Sequence, residues 1–206
     1  MQLLNRIVSV NSGVHSVVFT FRENPERFFN VRYKGDISTV AQKLAIMEDI
    51  GIENVILIDF SSDFSKLRGE QFFSDIKESL ILSKIVVGYD FKCGNGNDTD
   101  ASDIDRMFKK SGVDVEVIPE FVYMGTPVKS TMIRTFIKVG ELNILPELMD
   151  YGYSIDITGF SGSMKRSDSK QVLPASGSFS LKLFDGGVYR NAAITADETA
   201  VRWEFI

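Results

Sequence analysis

The sequence holds one cysteine, Cys93, and one histidine, His15, in 206 residues. A lone cysteine excludes an internal disulfide and fits a reducing compartment, so a cytoplasmic protein is expected. A lone histidine with no Asp, Cys or second His near it in sequence argues against an imidazole metal centre or a catalytic triad there. No apolar run approaches the ~20 residues of a membrane-spanning helix. No secretory leader is expected, because Met1–Val10 reads as an amphipathic helix. Positive charge is scarce: 23 Lys and Arg face 28 Asp and Glu, a net charge of −5. That balance argues against broad electrostatic binding to nucleic acid or an anionic membrane, and an anionic small molecule would need local positive charge. Internal repeats and low-complexity tracts are missing as well. What is present is ordinary for a globular protein, with 44% hydrophobic and 25% charged residues. The length suffices for one α/β domain and a small second module.

In chain order, Leu3, Leu4, Ile7 and Val8 recur at helical spacing, and Asn11-Ser12-Gly13 stops that helix. Val17–Phe21 reads as a strand and Arg22–Phe29 as a polar loop ending in Phe28 and Phe29. Thr39–Ile50 reads as a helix capped by Ser38 or Thr39 and ended at Gly51. Asn54–Phe60 is a second strand and Gly69–Leu82 another amphipathic helix. Ile85–Phe91 is a third strand with a loop running to Thr99. Asp100–Ser111 is helical, Val113–Pro119 a fourth strand, and Phe121–Val128 a hairpin around Met124-Gly125. Thr131–Val139 and Glu141–Tyr151 are helices separated by Gly140. Strands alternating with helices predict βαβ units and a parallel sheet. Past Tyr151 come Gly/Ser-rich turns and short β runs at Ser178–Phe184, Val188–Ala192 and Ala200–Phe205, where Trp203 is expected to pack.

Two stretches carry residue types suited to chemistry. The first is Lys84–Gly96, K-I-V-V-G-Y-D-F-K-C-G-N-G. Ile85, Val86 and Val87 read as a strand buried on both faces. Gly88, Gly94 and Gly96 allow conformations and close approaches that a Cβ would block. Loops at the C-terminal ends of parallel strands are where open α/β sheets bind ligands. The second stretch is Val128–Arg134, V-K-S-T-M-I-R, at a helix start. Ser130 or Thr131 is the expected cap, with Arg134 on the same face. Free N–H groups, two hydroxyls and a guanidinium suit a phosphate. The short pattern equally fits an ordinary capped helix with a surface arginine. Asp98, Asp100, Asp103 and Asp105 lack calcium-loop spacing and read as a helix N-terminus that favours negative charge. Cys93 reads as a buried side chain rather than a nucleophile.

Together and in order, these stretches resemble the adenylyltransferase half of bifunctional bacterial riboflavin kinase/FAD synthetases, within the H-x-G-H nucleotidyltransferase superfamily. The family pattern T-F-x-P-H-P-x-x-F-F is met by Thr20-Phe21-Arg22-Glu23-Asn24-Pro25-Glu26-Arg27-Phe28-Phe29. V-G-x-D-F-x-F-G is met by Val87-Gly88-Tyr89-Asp90-Phe91-Lys92-Cys93-Gly94. I-S-S-T-x-I-R is met by Lys129-Ser130-Thr131-Met132-Ile133-Arg134 after Val128, and the linker G-x-P-Y-x-I by Tyr151–Ile155. The resemblance covers about three quarters of the chain, Met1 to Ile155.

The resemblance implies a Rossmann-like, mostly parallel α/β sheet with flanking helices over 1–155, lacking the family's first strand. A reduced riboflavin kinase-like, all-β module over 156–206 is implied to follow it. FMN adenylyltransferase chemistry is implied, with ATP and Mg²⁺ required and FMN and FAD as substrate and product. Ser130, Thr131 and Arg134 would contact ATP phosphates, with Lys129 adding positive charge. Gly88, Asp90, Phe91 and Gly94 would shape the nucleotide pocket, Asp90 either helping to hold a metal or capping its turn. Pro25, Phe28 and Phe29 would border the flavin, at least one phenylalanine being expected in the core. Small-molecule ligands, and neither nucleic acid nor membrane, are the expected partners. The departures are equally specific. The G-x-F-D-G-x-H-x-G-H motif is missing, so the catalytic residues are unassigned. Asn24 stands at the P-H-P histidine, Asn97 at the arginine after the glycine loop, Thr99 at the next glycine and Lys129 at the first serine of I-S-S-T. Met1 falls within the helix that follows the lost motif, which leaves two alternatives, a misassigned start or real loss. Either alternative predicts a gap or a substitute strand in the sheet. The G-F-P-T-A-N motif is not found in the tail, so no riboflavin kinase activity is expected, and the tail is expected to dock on the preceding domain.

Overall fold

The computed structural model describes residues 2–9, 13–30 and 33–206. Asn11 and Ser12, expected to stop the first helix, lie outside them, as do its expected ends Met1 and Val10. α1 spans Gln2–Val8 and half-buries Leu3, Leu4 and Ile7. β1 (Val17–Phe21) matches its expected bounds. The expected polar loop that follows contains one helical turn, α2 (Glu26–Phe29). α3 (Val40–Ile50) opens with a reciprocal capping box. There the Thr39 N–H donates to Gln42 Oε1 at 2.8 Å and the Gln42 N–H to Thr39 Oγ1 at 3.2 Å. Next come β2 (Asn54–Ile58), α4 (Gly69–Ser79), β3 (Lys84–Gly88), β4 (Lys92–Cys93) and β5 (Thr99–Asp100).

α5 (Ala101–Phe108) is capped by Asp100, whose carboxylate accepts from the Ser102 and Asp103 N–H groups while Asp103 accepts from the Asp100 N–H. Of the acidic cluster, Asp100 and Asp103 therefore serve as capping chemistry, with Arg106 paired to Asp103. After β6 (Asp114–Ile118), β7 (Val122–Tyr123) and β8 (Thr126–Pro127) form the expected hairpin. Met124 at φ 47° and Gly125 at φ 78° are both left-handed, as a type I′ turn requires. α6 (Ser130–Val139) ends at Gly140, and the last expected helix is reduced to a 3₁₀ turn and α7 (Leu145–Leu148). The chain closes with β9 (Ser154–Asp156), β10 (Ser163–Lys165), β11 (Gly177–Asp185), β12 (Val188–Ala196) and β13 (Ala200–Phe205).

The protein is mixed α/β and divides into two compact units. The first comprises Met1–Pro25 and Ile50–Phe121. Its parallel pairing comes in two separate two-stranded pieces, β1 with β2 and β3 with β6, and not in one continuous sheet. Of the β3 residues read as buried on both faces, only Val87 is buried, and Ile85 and Val86 are half-covered. Phenylalanines link the pieces. Phe19 of β1 meets Phe72 of α4 edge-on at 5.9 Å, Phe72 meets Phe73 at 5.5 Å, and Phe73 meets Phe91 and Phe108 at 6.5 and 6.0 Å. Edge-to-face pairs of this kind each add about 1 kcal/mol beyond the area they bury. They lead into a core of Phe73, Val87, Ile104 and Phe108.

The second unit comprises Glu26–Asp49 and Val122–Ile206. Its sheet has the order β10-β13-β12-β11-β9, antiparallel throughout except for β9 against β11, and forms a β-rich C-terminal half-barrel. The tail does not rely on a core of its own: Ile137 of α6 and Leu145 and Leu148 of α7 share one cluster with Ile155, Leu183, Ile194, Val201 and Trp203. A buried amide pair ties α3 to this sheet. Gln171 Nε2 donates to Ile37 O, Gln42 Oε1 and Ser154 O at 2.9, 3.0 and 3.0 Å, and its Oε1 accepts from the Asp156 N–H at 2.7 Å. Among the described residues no helix is long and apolar enough to cross a membrane.

Candidate functional site

The glycine loop is shaped by its backbone. β3 stops at Gly88, where the Phe91 N–H returns to Gly88 O at 3.0 Å and leaves Tyr89 and Asp90 exposed. Gly94 has φ 79°, and a Cβ there would lie 2.1 Å from Asp98 Oδ1 and 2.4 Å from Gly69 N. Asp98 Oδ1 accepts from the Gly69 N–H and the Thr99 hydroxyl, both at 3.0 Å. The Gly69 N–H is the main reason its carboxyl titrates below the usual range, with Thr99 and Arg68 adding to it. Gly94 thus has a packing duty of its own, letting the loop clasp the start of α4. Asn97 sits at φ 59°, a left-handed conformation that asparagine tolerates better than most side chains.

A cavity of about 530 Å³ lies between this loop, the start of α5 and β6. Tyr89, Phe91, Val115 and Val117 give it an aromatic and apolar wall, and its charged lining is Asp90, Asp100 and Asp105 against Lys92. That excess of carboxylates repels polyphosphate and suits an uncharged or cationic part of a ligand. Asp90 and Phe91, both expected in a nucleotide pocket, are among the residues lining this cavity. Among the described residues no three His, Cys, Asp or Glu side chains gather as a metal site. Burial, with Asp98 and Asp103 nearby, pushes the Cys93 thiol up to about 11, so it stays protonated near neutrality. His15 lies on the surface with Nδ1 2.6 Å from Glu53 Oε2.

At the second stretch the expected cap is corrected. The N-cap is Lys129, and no side chain caps α6. Ser130 and Thr131 are already inside the helix as its first two residues, too far along to act as the cap. Lys129, Ser130 and Thr131 are exposed, whereas Arg134 is buried, so the expected common face is not shared. Arg134 Nε donates to Gly35 O at 2.9 Å, its guanidinium carbon lies 5.7 Å from the centre of the Tyr33 ring, and Nη2 is 3.8 Å from Glu26 Oε2. Tyr33 donates to Asp36 Oδ1 at 2.5 Å. Burial first, and Asp36 second, hold its hydroxyl above the usual tyrosine range. Phe28 and Phe29 are both exposed and pack edge-on at 5.2 Å, so neither fills the expected core position.

Asn24, Pro25, Gly88, Asp90, Phe91 and Gly94 belong to the first unit. Phe28, Phe29, Lys129, Ser130, Thr131 and Arg134 belong to the second. The residues around Arg134, namely Glu26, Tyr33, Gly35 and Asp36, escape sequence reasoning because they lie about a hundred positions away and form no local pattern.

A mixed α/β unit carrying a glycine loop after a parallel strand, with a second unit built on a β-rich half-barrel, defines the class of protein. Residues 1–132 match the family model for FAD synthetase, and the chain belongs to that family. A FAD synthetase of Listeria monocytogenes is 32% identical over 129 residues, covering 63% of this chain and 52% of that protein. A bifunctional riboflavin kinase/FMN adenylyltransferase of the same organism is 22% identical over 163 residues, covering 77% and 51%. The chain thus spans about half the length of the curated relatives it matches. A crystal structure described as a macrolide-efflux protein from Streptococcus pneumoniae shares the fold, with a TM-score of 0.76 at 20% identity, covering 98% of this chain and 79% of that one.

Proposed function

We infer that the chain is a FAD synthetase-like protein that binds ATP and FMN and, as it stands, transfers adenylyl groups weakly or not at all. The observation that carries the reading is the family match over residues 1–132. Two features support it. α6 opens with no capping side chain and with Lys129, Ser130 and Thr131 exposed, so its first-turn N–H groups suit an anion. The cavity beside Asp90 and Phe91 suits a flat, uncharged ring better than phosphates.

In this reading residues 1–155 are a Rossmann-like nucleotidyltransferase domain and 156–206 a riboflavin kinase-like β module. Ser130, Thr131, Lys129 and Arg134 hold the ATP phosphates. Gly88, Asp90, Phe91 and Gly94 shape the nucleotide pocket, and Pro25, Phe28 and Phe29 border the flavin. Adenylyl transfer joins an FMN phosphate oxygen to the α-phosphorus of ATP and breaks the bond to the β-phosphate, releasing pyrophosphate. Catalysis of this kind is mostly positioning and charge neutralisation. Mg²⁺ carried by ATP would supply charge neutralisation at the phosphates, which Lys129, Ser130, Thr131 and Arg134 would hold. Each transition-state donor replaced costs roughly 3 kcal/mol, and Asn24 in place of the family's P-H-P histidine is such a replacement within the chain, so slow transfer is expected.

A second reading, a flavin- or nucleotide-binding relative without catalysis, is favoured by Asn97, whose left-handed backbone serves the loop turn at the place of a family arginine. FAD formation from FMN and MgATP separates the two. Slow turnover above the uncatalysed background supports the enzyme, and none supports the binding protein. Arg134→Ala should weaken ATP binding and spare flavin, and equal loss of both contradicts the assigned role.

A further inference from the structure

We propose that the C-terminal β module is the positioning scaffold of Arg134, acting through Gly35 and Asp36. The inference rests on the reading of Arg134 as a phosphate-binding residue. Arg134 sits on α6, yet the atom that fixes its guanidinium is the Gly35 carbonyl, 2.9 Å from Nε. Gly35 is in turn laid directly on the module. Its φ is 95°, and a Cβ there would lie 2.8 Å from Val172 N, so only glycine allows the approach.

Asp36 fastens the loop from both sides. Its N–H donates to Lys170 O at 3.0 Å and its carbonyl accepts from the Val172 N–H at 2.8 Å, a parallel bridge opposite Gln171. Its carboxylate accepts from the Tyr33 hydroxyl at 2.5 Å and from Arg27 Nη2 at 2.8 Å. Arg27 also donates to Lys170 O at 3.1 Å. The Tyr33 ring so held lies beside both guanidiniums, 5.0 Å from that of Arg27 and 5.7 Å from that of Arg134. The chain of contacts runs from residues 170–172 through 35–36 and Tyr33 to Arg134.

An arginine fixed before the ligand arrives does not lose its rotamer freedom on binding. Asp36 and Tyr33 are therefore positioning residues for the phosphate end of the site. The grip of residues 170–172 on this loop gives the module a task that needs no kinase chemistry.

The test uses the whole chain with Asp36→Asn and the milder Tyr33→Phe, each checked for an unchanged melting transition. The Arg134 Nε–H signal, assigned by its loss in Arg134→Lys, is followed by ¹⁵N NMR for exchange with water. Exchange should speed up about tenfold or more in Asp36→Asn, and less in Tyr33→Phe. MgATP affinity should fall roughly fivefold while adenosine affinity holds, and Arg134→Lys should add nothing further in the Asp36→Asn background. A folded Asp36→Asn variant with Nε–H exchange as slow as in the parent overturns the proposal. If the parent binds no MgATP, the phosphate role of Arg134 fails, and the Nε–H comparison still decides whether the module positions it.

Discussion

Gln171→Leu tests the buried amide network of the second unit. In the protein Gln171 Nε2 serves three acceptors and Oε1 takes the Asp156 N–H. After substitution, Gln42 Oε1 keeps the Thr39 N–H and Ser154 O keeps Gln42 Nε2. The Asp156 N–H and Ile37 O lose the partner they have here. A buried polar group left unsatisfied costs about 1–3 kcal/mol, so two cost about 2–6 kcal/mol. Leucine returns about 1–2 kcal/mol through its apolar surface, for a net loss near 3 kcal/mol. Trp203 is the only tryptophan of the chain and is buried in this unit, so its fluorescence reports the transition. With a urea slope of about 2 kcal/mol/M, the midpoint should drop by about 1.5 M at unchanged slope. A drop under about 0.3 M at that slope would show that the amides are not the buried, satisfied pair described here.

Three further outcomes follow from the structure. Gly94→Ala forces a left-handed alanine against Asp98 and breaks its clasp on Gly69, and should lower stability by about 2–4 kcal/mol in denaturant titration. Cys93 should resist alkylation at pH 8 in the folded protein and react quickly once urea unfolds it, since its thiol is pushed up to about 11. The Asp197 carboxylate is held far below the usual range by Arg202 first, then by Thr199 and Ala200. Its contribution is complete above the unfolded value near 3.9 and is lost as pH falls through the folded value. Asp197→Asn should therefore flatten the acid limb of the melting temperature against pH.

Local pattern carried much of the fold into the sequence. β-branched runs place β1 and β3, the turn pair Met124-Gly125 places the hairpin, and the cap candidates Ser38 and Thr39 place the start of α3, whose reciprocal partner Gln42 only the structure supplies. Burial was less legible. β3, read as buried on both faces, is only half-covered at Ile85 and Val86, because parallel pairing stops at two strands in each piece. At the site, the loop glycines and S-T-x-I-R were visible through the family pattern. The surroundings of Arg134 were not, because Gly35 O is a main-chain atom on a distant loop and leaves no trace in residue type.

Whether the protein binds flavin and nucleotide at all is decided by calorimetry of the whole chain with FMN, FAD and MgATP. MgATP and the flavin should each give a measurable heat of binding. No heat with any of the three would contradict both the enzyme and the binding-protein readings.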